Sequence, residues 1–165
     1  MLAWFHEGAE ALLGTLRSME PGKECWTFGP KPRTAAFWFR RQALENVVHT
    51  WDAAASQGLC LPLDVRLSLD GIDEVVQVLF PRQVRLGRIP TLAGSLGLLP
   101  LGSQARWVLA NDGSMPAKAA DATVSGPPEA LLLLLWQRVA LEDPRLSVQG
   151  DAEVAARIVA VDLAP

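Results

Sequence analysis

Residues 33–52 read RTAAFWFRRQALENVVHTWD, and this stretch decides how the rest of the chain is interpreted. Pro32 suits the first turn of a helix and Gly58 suits its end, so the segment predicts one helix over 32–56. Spacings of three, four and three residues place four polar side chains within roughly 80° of one another on that helix. These four residues are Gln42, Glu45, His49 and Asp52. The polar stripe borders an apolar one, so it lies at the edge of the predicted core.

Glu45 and His49 are four residues apart, the spacing at which one helix supplies two ligands to a single metal ion. A carboxylate and a neutral imidazole suit zinc or another first-row divalent ion. A Glu–His pair at this spacing is also often a solvated contact, so the spacing alone leaves both interpretations open. His6 is the only other histidine. It is a candidate third ligand, and the alternative is a residue at the edge of the core.

The composition excludes several classes of protein. The chain has 165 residues, of which half are hydrophobic, and its net charge is −3. This apolar content excludes disorder as the main state, and the mild acidity argues against a nucleic-acid partner. No apolar run approaches the ~20 residues of a membrane helix, so we expect no membrane partner. Two cysteines, Cys25 and Cys60, do not form a disulfide framework, and we expect a cytoplasmic protein.

The predicted secondary structure changes near residue 82. Before it, helical patterns cover 2–19, 32–56 and 64–80, and Pro81 is predicted to end the last of them. After it, strands are predicted over 94–101, 105–110, 117–124 and 146–149, with a turn at 111–113. Helices are predicted from Pro127 to about residue 140 and after Asp151, which caps the last one. We therefore predict an α+β protein with a helical domain over 1–82 and an α+β domain over 83–165.

Two sets of motifs resemble one known family. The helix of residues 32–56 carries Trp38-x-Arg-Arg41 followed by Glu45-x-x-x-His49-x-Trp-Asp52. The second half carries Ser-Gly-Pro-Pro-Glu-Ala at 125–130, Trp-Gln-Arg at 136–138 and Val-Gln-Gly-Asp at 148–151. Together they resemble the mycothiol-dependent maleylpyruvate isomerase family. The resemblance implies a DinB-like helical bundle that binds a metal, followed by a small α+β domain like sterol carrier protein.

The resemblance also implies a reaction and its residues. Mycothiol, a small thiol, would add to the double bond of maleylpyruvate, permit rotation and leave fumarylpyruvate. A divalent metal, zinc by preference, would bind Glu45, His49 and a third ligand, and mycothiol would be the cosubstrate. Arg138 would be the catalytic arginine, although a cation at a helix C-terminus is the alternative role. Arg106 is a weaker candidate for the same role.

The chain begins where the third bundle helix of the family would begin, so we expect the first two helices to be absent. Their loss would expose an apolar stripe of the helix over 32–56, formed by Phe37, Leu44, Val48 and Trp51. We therefore expect a homo-oligomer, or a partner chain that supplies the missing helices. Two functions follow: a mycothiol-dependent isomerase or thiol transferase whose metal site is incomplete in this chain, or a non-catalytic binding or accessory protein.

Overall fold

A computed structural model describes residues 2–111 and 120–164. Contacts divide the chain into two compact units, one up to Asn46 and one from Val47 onward. The domain boundary predicted between residues 82 and 83 stays a prediction. The predicted α+β class is confirmed, because the described residues form helices and one four-stranded mixed sheet.

The first unit contains α1 (Leu2–Ser18) and about half of α2 (Ala36–Ala55). The predicted start of α2 at Pro32 is wrong. Pro32 lies in a loop that backbone hydrogen bonds hold back on itself, from the Cys25 amide to the Arg33 carbonyl (3.1 Å) and from the Ala35 amide to the Lys23 carbonyl (2.9 Å). These bonds keep residues 32–35 out of the helix, so α2 starts after them, at Ala36.

The expected exposure of the α2 apolar stripe is also wrong in part. Leu44 and Val48 are buried, and Phe37 and Trp51 are half-buried. The exposed apolar surface instead lies on α1, which has no buried residue and exposes 76% of Trp4 and 69% of Phe5.

The second unit is built on a sheet with strand order β2-β1-β3-β4. Its strands are β1 (Leu96–Pro100), β2 (Trp107–Leu109), β3 (Ala122–Gly126) and β4 (Ser147–Gly150). β1 and β3 are parallel, whereas the β1–β2 and β3–β4 pairs are antiparallel. The strand predicted over 117–124 begins at Ala122 in the structure. Its residues 117–119, and residues 112–113 of the predicted turn, lie outside the described residues.

The helix that Pro81 was predicted to end continues past it to Arg85. It consists of three pieces: α3 (Val65–Glu74), a π-helical stretch (Val75–Leu79) and α4 (Phe80–Arg85). Proline lacks the N–H that an α-helix would use at this position. The turn before it widens, and the Phe80 amide donates to the Val75 carbonyl five residues back. The helix absorbs the proline in this π-helical stretch.

The core of the second unit is the apolar helix α5 (Pro128–Leu135), whose residues 130–135 are all at most 2% exposed. The sequence predicted this helix to continue to about residue 140, which is wrong. Gln137 takes a left-handed conformation with φ of 56°, so the chain leaves the helix after Leu135. The last helix, α6 (Ala152–Val159), is capped by the Asp151 carboxylate, as predicted.

None of the described helices combines the length and the apolarity needed to cross a membrane.

The exposed face of α1 predicts association of the chain. We expect the purified protein to be a homo-oligomer, with a separate partner chain as the alternative cover, because large apolar patches are unusual on monomers. Light scattering at micromolar concentration measures this directly. Replacement of Trp4 and Phe5 by serine should shift the population toward single chains. A soluble wild-type species with the mass of one chain would contradict the prediction.

Candidate functional site

An ion pair joins α2 to the segment after α5, within the second unit. Arg138 donates from Nε to Oδ1 of Asp52 and from Nη2 to Oδ2, each at 2.9 Å. The two side chains are each 31% exposed. This side-on geometry, with two parallel bonds, is the strong form of an arginine–carboxylate pair.

The end of α5 directs Arg138 toward this partner. The Gln137 amide donates to the Leu134 carbonyl (2.9 Å) and the Arg138 amide donates to the Leu133 carbonyl (2.8 Å). With Gln137 left-handed, these two bonds form the reversal that commonly ends a helix, where glycine is the usual residue. The Gln137 side chain donates to the Val161 carbonyl at 3.0 Å, which holds the turn in place.

His49 completes a cluster of three polar side chains. Its Nδ1 lies 3.1 Å from Oδ2 of Asp52, and its ring meets the Trp136 ring edge to face at 6.3 Å. An ionised carboxylate can only accept a hydrogen bond, so Nδ1 carries the proton in this contact. The lone pair of the neutral ring then resides on Nε2, the nitrogen that would accept a proton or bind a metal.

The charges in the cluster stabilise one another. Hydrogen bonding to the Arg138 guanidinium is the main cause that lowers the pKa of Asp52, with a smaller contribution from His49. The same bond raises the pKa of Arg138. Both groups are therefore ionised at neutral pH.

The contacts of Arg138 use only some of its N–H donors. A guanidinium has five N–H groups. Asp52 takes one from Nε and one from Nη2, and the Trp136 carbonyl takes one from Nη1 at 2.7 Å. Among the described residues, one N–H on each terminal nitrogen is left over. The terminal nitrogens Nη1 and Nη2 together form the end edge of the guanidinium, the second edge that can bind a carboxylate with two bonds.

Arg138 lines a cleft of about 490 Å³ in the second unit. The cleft also contains Arg88, Asp162 and the buried Gln83. Arg88 lies within 3.5 Å of the Gln83 side-chain oxygen. Two guanidinium groups against one carboxylate suit a small anionic ligand, and most of all one with two carboxylates.

The predicted metal ligands do not form a complete site in the part of the chain that the structure describes. Glu45, in the first unit, forms an ion pair with the buried Arg41, and His6 is exposed on α1. His49 contacts Asp52 as described above. Nowhere in residues 2–111 and 120–164 do three His, Cys, Asp or Glu side chains come together in a way that could hold a metal ion. The donors present therefore do not by themselves fit a divalent metal.

The catalytic role of Arg138 stays a prediction, and the structure gives the contacts of its side chain. Arg138 donates to the carbonyl of Trp136, the residue that ends α5, and it also forms the pair with Asp52. Arg106 is exposed and does not line the cleft. Sequence analysis missed the Asp52–Arg138 contact, which joins residues 86 apart, and it missed Arg88 and Gln83 in the cleft. No local pattern in the sequence marks these three features.

Comparison with known proteins gives two family matches. Residues 66–157 match the family model described as MDMPI C-terminal domain. Residues 1–54 match the model described as mycothiol maleylpyruvate isomerase N-terminal domain. A comparison with curated proteins finds no match.

Two solved structures resemble part of the chain. Sterol carrier protein 2 like 2 from Aedes aegypti is 18% identical, with 58% of this chain and 97% of that chain covered and a TM-score of 0.41. A ubiquinone synthesis protein, UbiJ-SCP2, is 23% identical, with 63% and 95% covered and a TM-score of 0.39.

A second arginine–carboxylate pair offers a comparison with the one in the cluster. Asp143 accepts from Nε and Nη2 of Arg145 at 2.9 and 2.7 Å, and Arg145 does not line the cleft of Arg138. Hydrogen bonding to the Arg145 side chain lowers the pKa of Asp143 to about 2.

The Asp143 pair predicts how stability changes with acid. Since the pKa of Asp143 is lower when folded than its ordinary value of 3.8, its contribution is complete above pH 3.8 and is lost as the pH falls toward 2. The Asp143→Asn protein should therefore lose less unfolding free energy than the wild-type protein when the pH falls from 5 to 3. Urea unfolding at pH 5 and pH 3 tests this, and equal losses in both proteins would contradict it.

Proposed function

The chain belongs to the mycothiol maleylpyruvate isomerase family, and from this premise we propose that it is a mycothiol-dependent isomerase or thiol transferase acting on a small anionic substrate. The observation that supports this most is the cleft that Arg138 lines together with a second arginine, Arg88. Maleylpyruvate, the substrate in the family name, carries two carboxylates and matches that charge pattern.

In this proposal Arg138 binds one carboxylate of the substrate through its end edge, and Arg88 attracts the other. In isomerisation about a double bond, one end of the molecule turns relative to the other. A guanidinium with two parallel donors fixes both the position and the orientation of the carboxylate it binds. Arg138 therefore holds the stationary end of the substrate.

Mycothiol would supply the nucleophile, and its sulfur would form a bond to one carbon of the double bond. After rotation, the carbon–sulfur bond would break and the carbon–carbon double bond would form again. Addition places negative charge on the substrate. The contribution of the protein to this step is then electrostatic, because the Arg138 and Arg88 guanidinium groups stabilise that charge in a partly enclosed cleft.

A divalent metal, zinc by preference, stays part of the proposal as a prediction. It would lower the pKa of a bound thiol. Glu45 and His49 would supply two of its donors, and a third would have to come from outside the described residues or from another chain. The described donors alone do not fit the ion.

The alternative is a non-catalytic binding or accessory protein that retains the fold and is completed by a partner chain. The Arg41–Glu45 pair favours it, because a guanidinium on the carboxylate competes with a metal cation.

Metal content separates the two functions. If the enzyme proposal is correct, mass spectrometry of protein purified without chelator should find about one divalent metal per chain. Double replacement by Glu45→Gln and His49→Ala should remove it, because two donors are lost. Wild-type protein that carries no metal would favour the accessory function.

Arg138→Lys tests the proposed substrate contact. Lysine keeps the positive charge but loses the two-donor geometry, so the rate of maleylpyruvate isomerisation with mycothiol should fall by ~10-fold or more. Arg106→Lys, at an exposed arginine outside the cleft, is the matched control and should leave the rate unchanged. Wild-type protein that gives no acceleration over mycothiol alone would contradict the enzyme proposal.

A further inference from the structure

We propose that Asp52 is a positioning residue for the anion site: it holds the side-on edge of Arg138 so that the end edge serves the ligand, and it orients His49 in the same cluster. This inference rests on the proposed function, since it assumes that Arg138 binds a carboxylate. It assigns to Asp52 a role that does not require Asp52 to touch the substrate.

The first support is the way the arginine is held. Asp52 takes two of the five donors of Arg138 and the Trp136 carbonyl takes a third, all at 2.7–2.9 Å. A guanidinium fixed at three of its donors cannot rotate about its own axis. The two remaining donors, one on each terminal nitrogen, therefore keep one direction before any ligand arrives.

The second support is the conformational freedom that an arginine side chain has to lose when it binds a ligand. The Arg138 side chain is long, and 31% of it is exposed. A free arginine loses much conformational freedom when it binds a carboxylate, and this loss weakens the binding. The contact with Asp52 imposes that order in advance, so less is lost when a ligand binds.

The third support is that one carboxylate oxygen serves two side chains. Oδ2 of Asp52 lies 2.9 Å from Nη2 of Arg138 and 3.1 Å from Nδ1 of His49. The same oxygen therefore sets both the orientation of the guanidinium and the protonated nitrogen of the imidazole. Loss of Asp52 would remove one contact from each of these groups at the same time.

For the affinity of the site for anions, the positioning role predicts the opposite change from the one expected of charge alone. Asp52→Asn removes a negative charge next to the cleft, so an effect of charge alone would tighten the binding of anions. Asparagine can offer only one oxygen to the two arginine donors, so the positioning role predicts weaker binding. The direction of the change separates a positioning residue from a nearby charge.

The experiment titrates maleate, a dianion with two cis carboxylates, into the full chain by calorimetry. Asp52→Asn should weaken maleate binding by ~10-fold or more, as expected when a charged hydrogen-bond arrangement is lost. The matched control is Asp143→Asn, which breaks a pair of the same geometry that does not involve the cleft, and it should change the affinity less than ~2-fold. Circular dichroism checks that each variant is folded. Should Asp52→Asn not fold, Asp52→Glu is measured instead; it keeps the charge but moves the oxygens, and the same weakening is expected.

Two results would overturn the inference, and they are distinguishable. If Arg138→Lys weakens maleate binding but Asp52→Asn leaves it equal or tighter, Asp52 has no positioning role and the anion site stands. If wild-type protein does not bind maleate at all, the carboxylate site of the proposed function fails, and this inference fails with it.

Discussion

The ion pair between Asp52 and Arg138 is the interaction on which the candidate site depends. It joins the last turn of α2 to the reversal that follows α5, across 86 residues of sequence. The position of Arg138 is set by α5, whose leucines are almost fully buried and cannot shift without loss of the core. The left-handed Gln137 then turns the chain so that the arginine reaches Asp52. The site is therefore tied to the buried core of the second unit.

A pair with this exposure contributes little to stability, because solvent screens the charges and two side chains must be ordered. Its importance lies in geometry. One carboxylate contacts Nε and Nη2 of Arg138 and also Nδ1 of His49. The Asp143–Arg145 pair has similar bond lengths but joins residues two apart, so it orders one short segment and brings no distant elements together.

Much of the fold followed from local patterns in the sequence. The capping role of Asp151, the helical character of residues 36–55 and the α+β class were all predicted and are confirmed. The family was also recognised from the motifs around Glu45, His49 and Arg138, and the family models agree. These features are recognisable because each depends on residues close together in sequence.

The errors have physical causes that local patterns do not contain. Pro81 was expected to end a helix, but widening of the preceding turn accommodates the missing N–H. Gln137 adopts a conformation that favours glycine, so nothing in its identity marked the end of α5. The Asp52–Arg138 contact is long-range, and any of several carboxylates could have been paired with this arginine. Only the folded chain selects between them.

The most direct test of the account is to observe the Arg138 Nε–H itself, by nitrogen-15 NMR of the arginine side chains at neutral pH. We predict a sharp Arg138 Nε–H signal that exchanges slowly with water in the wild-type protein and is lost to fast exchange in Asp52→Asn. An Arg138 signal that exchanges equally fast in both proteins would show that Asp52 does not hold the guanidinium, and would contradict the central claim.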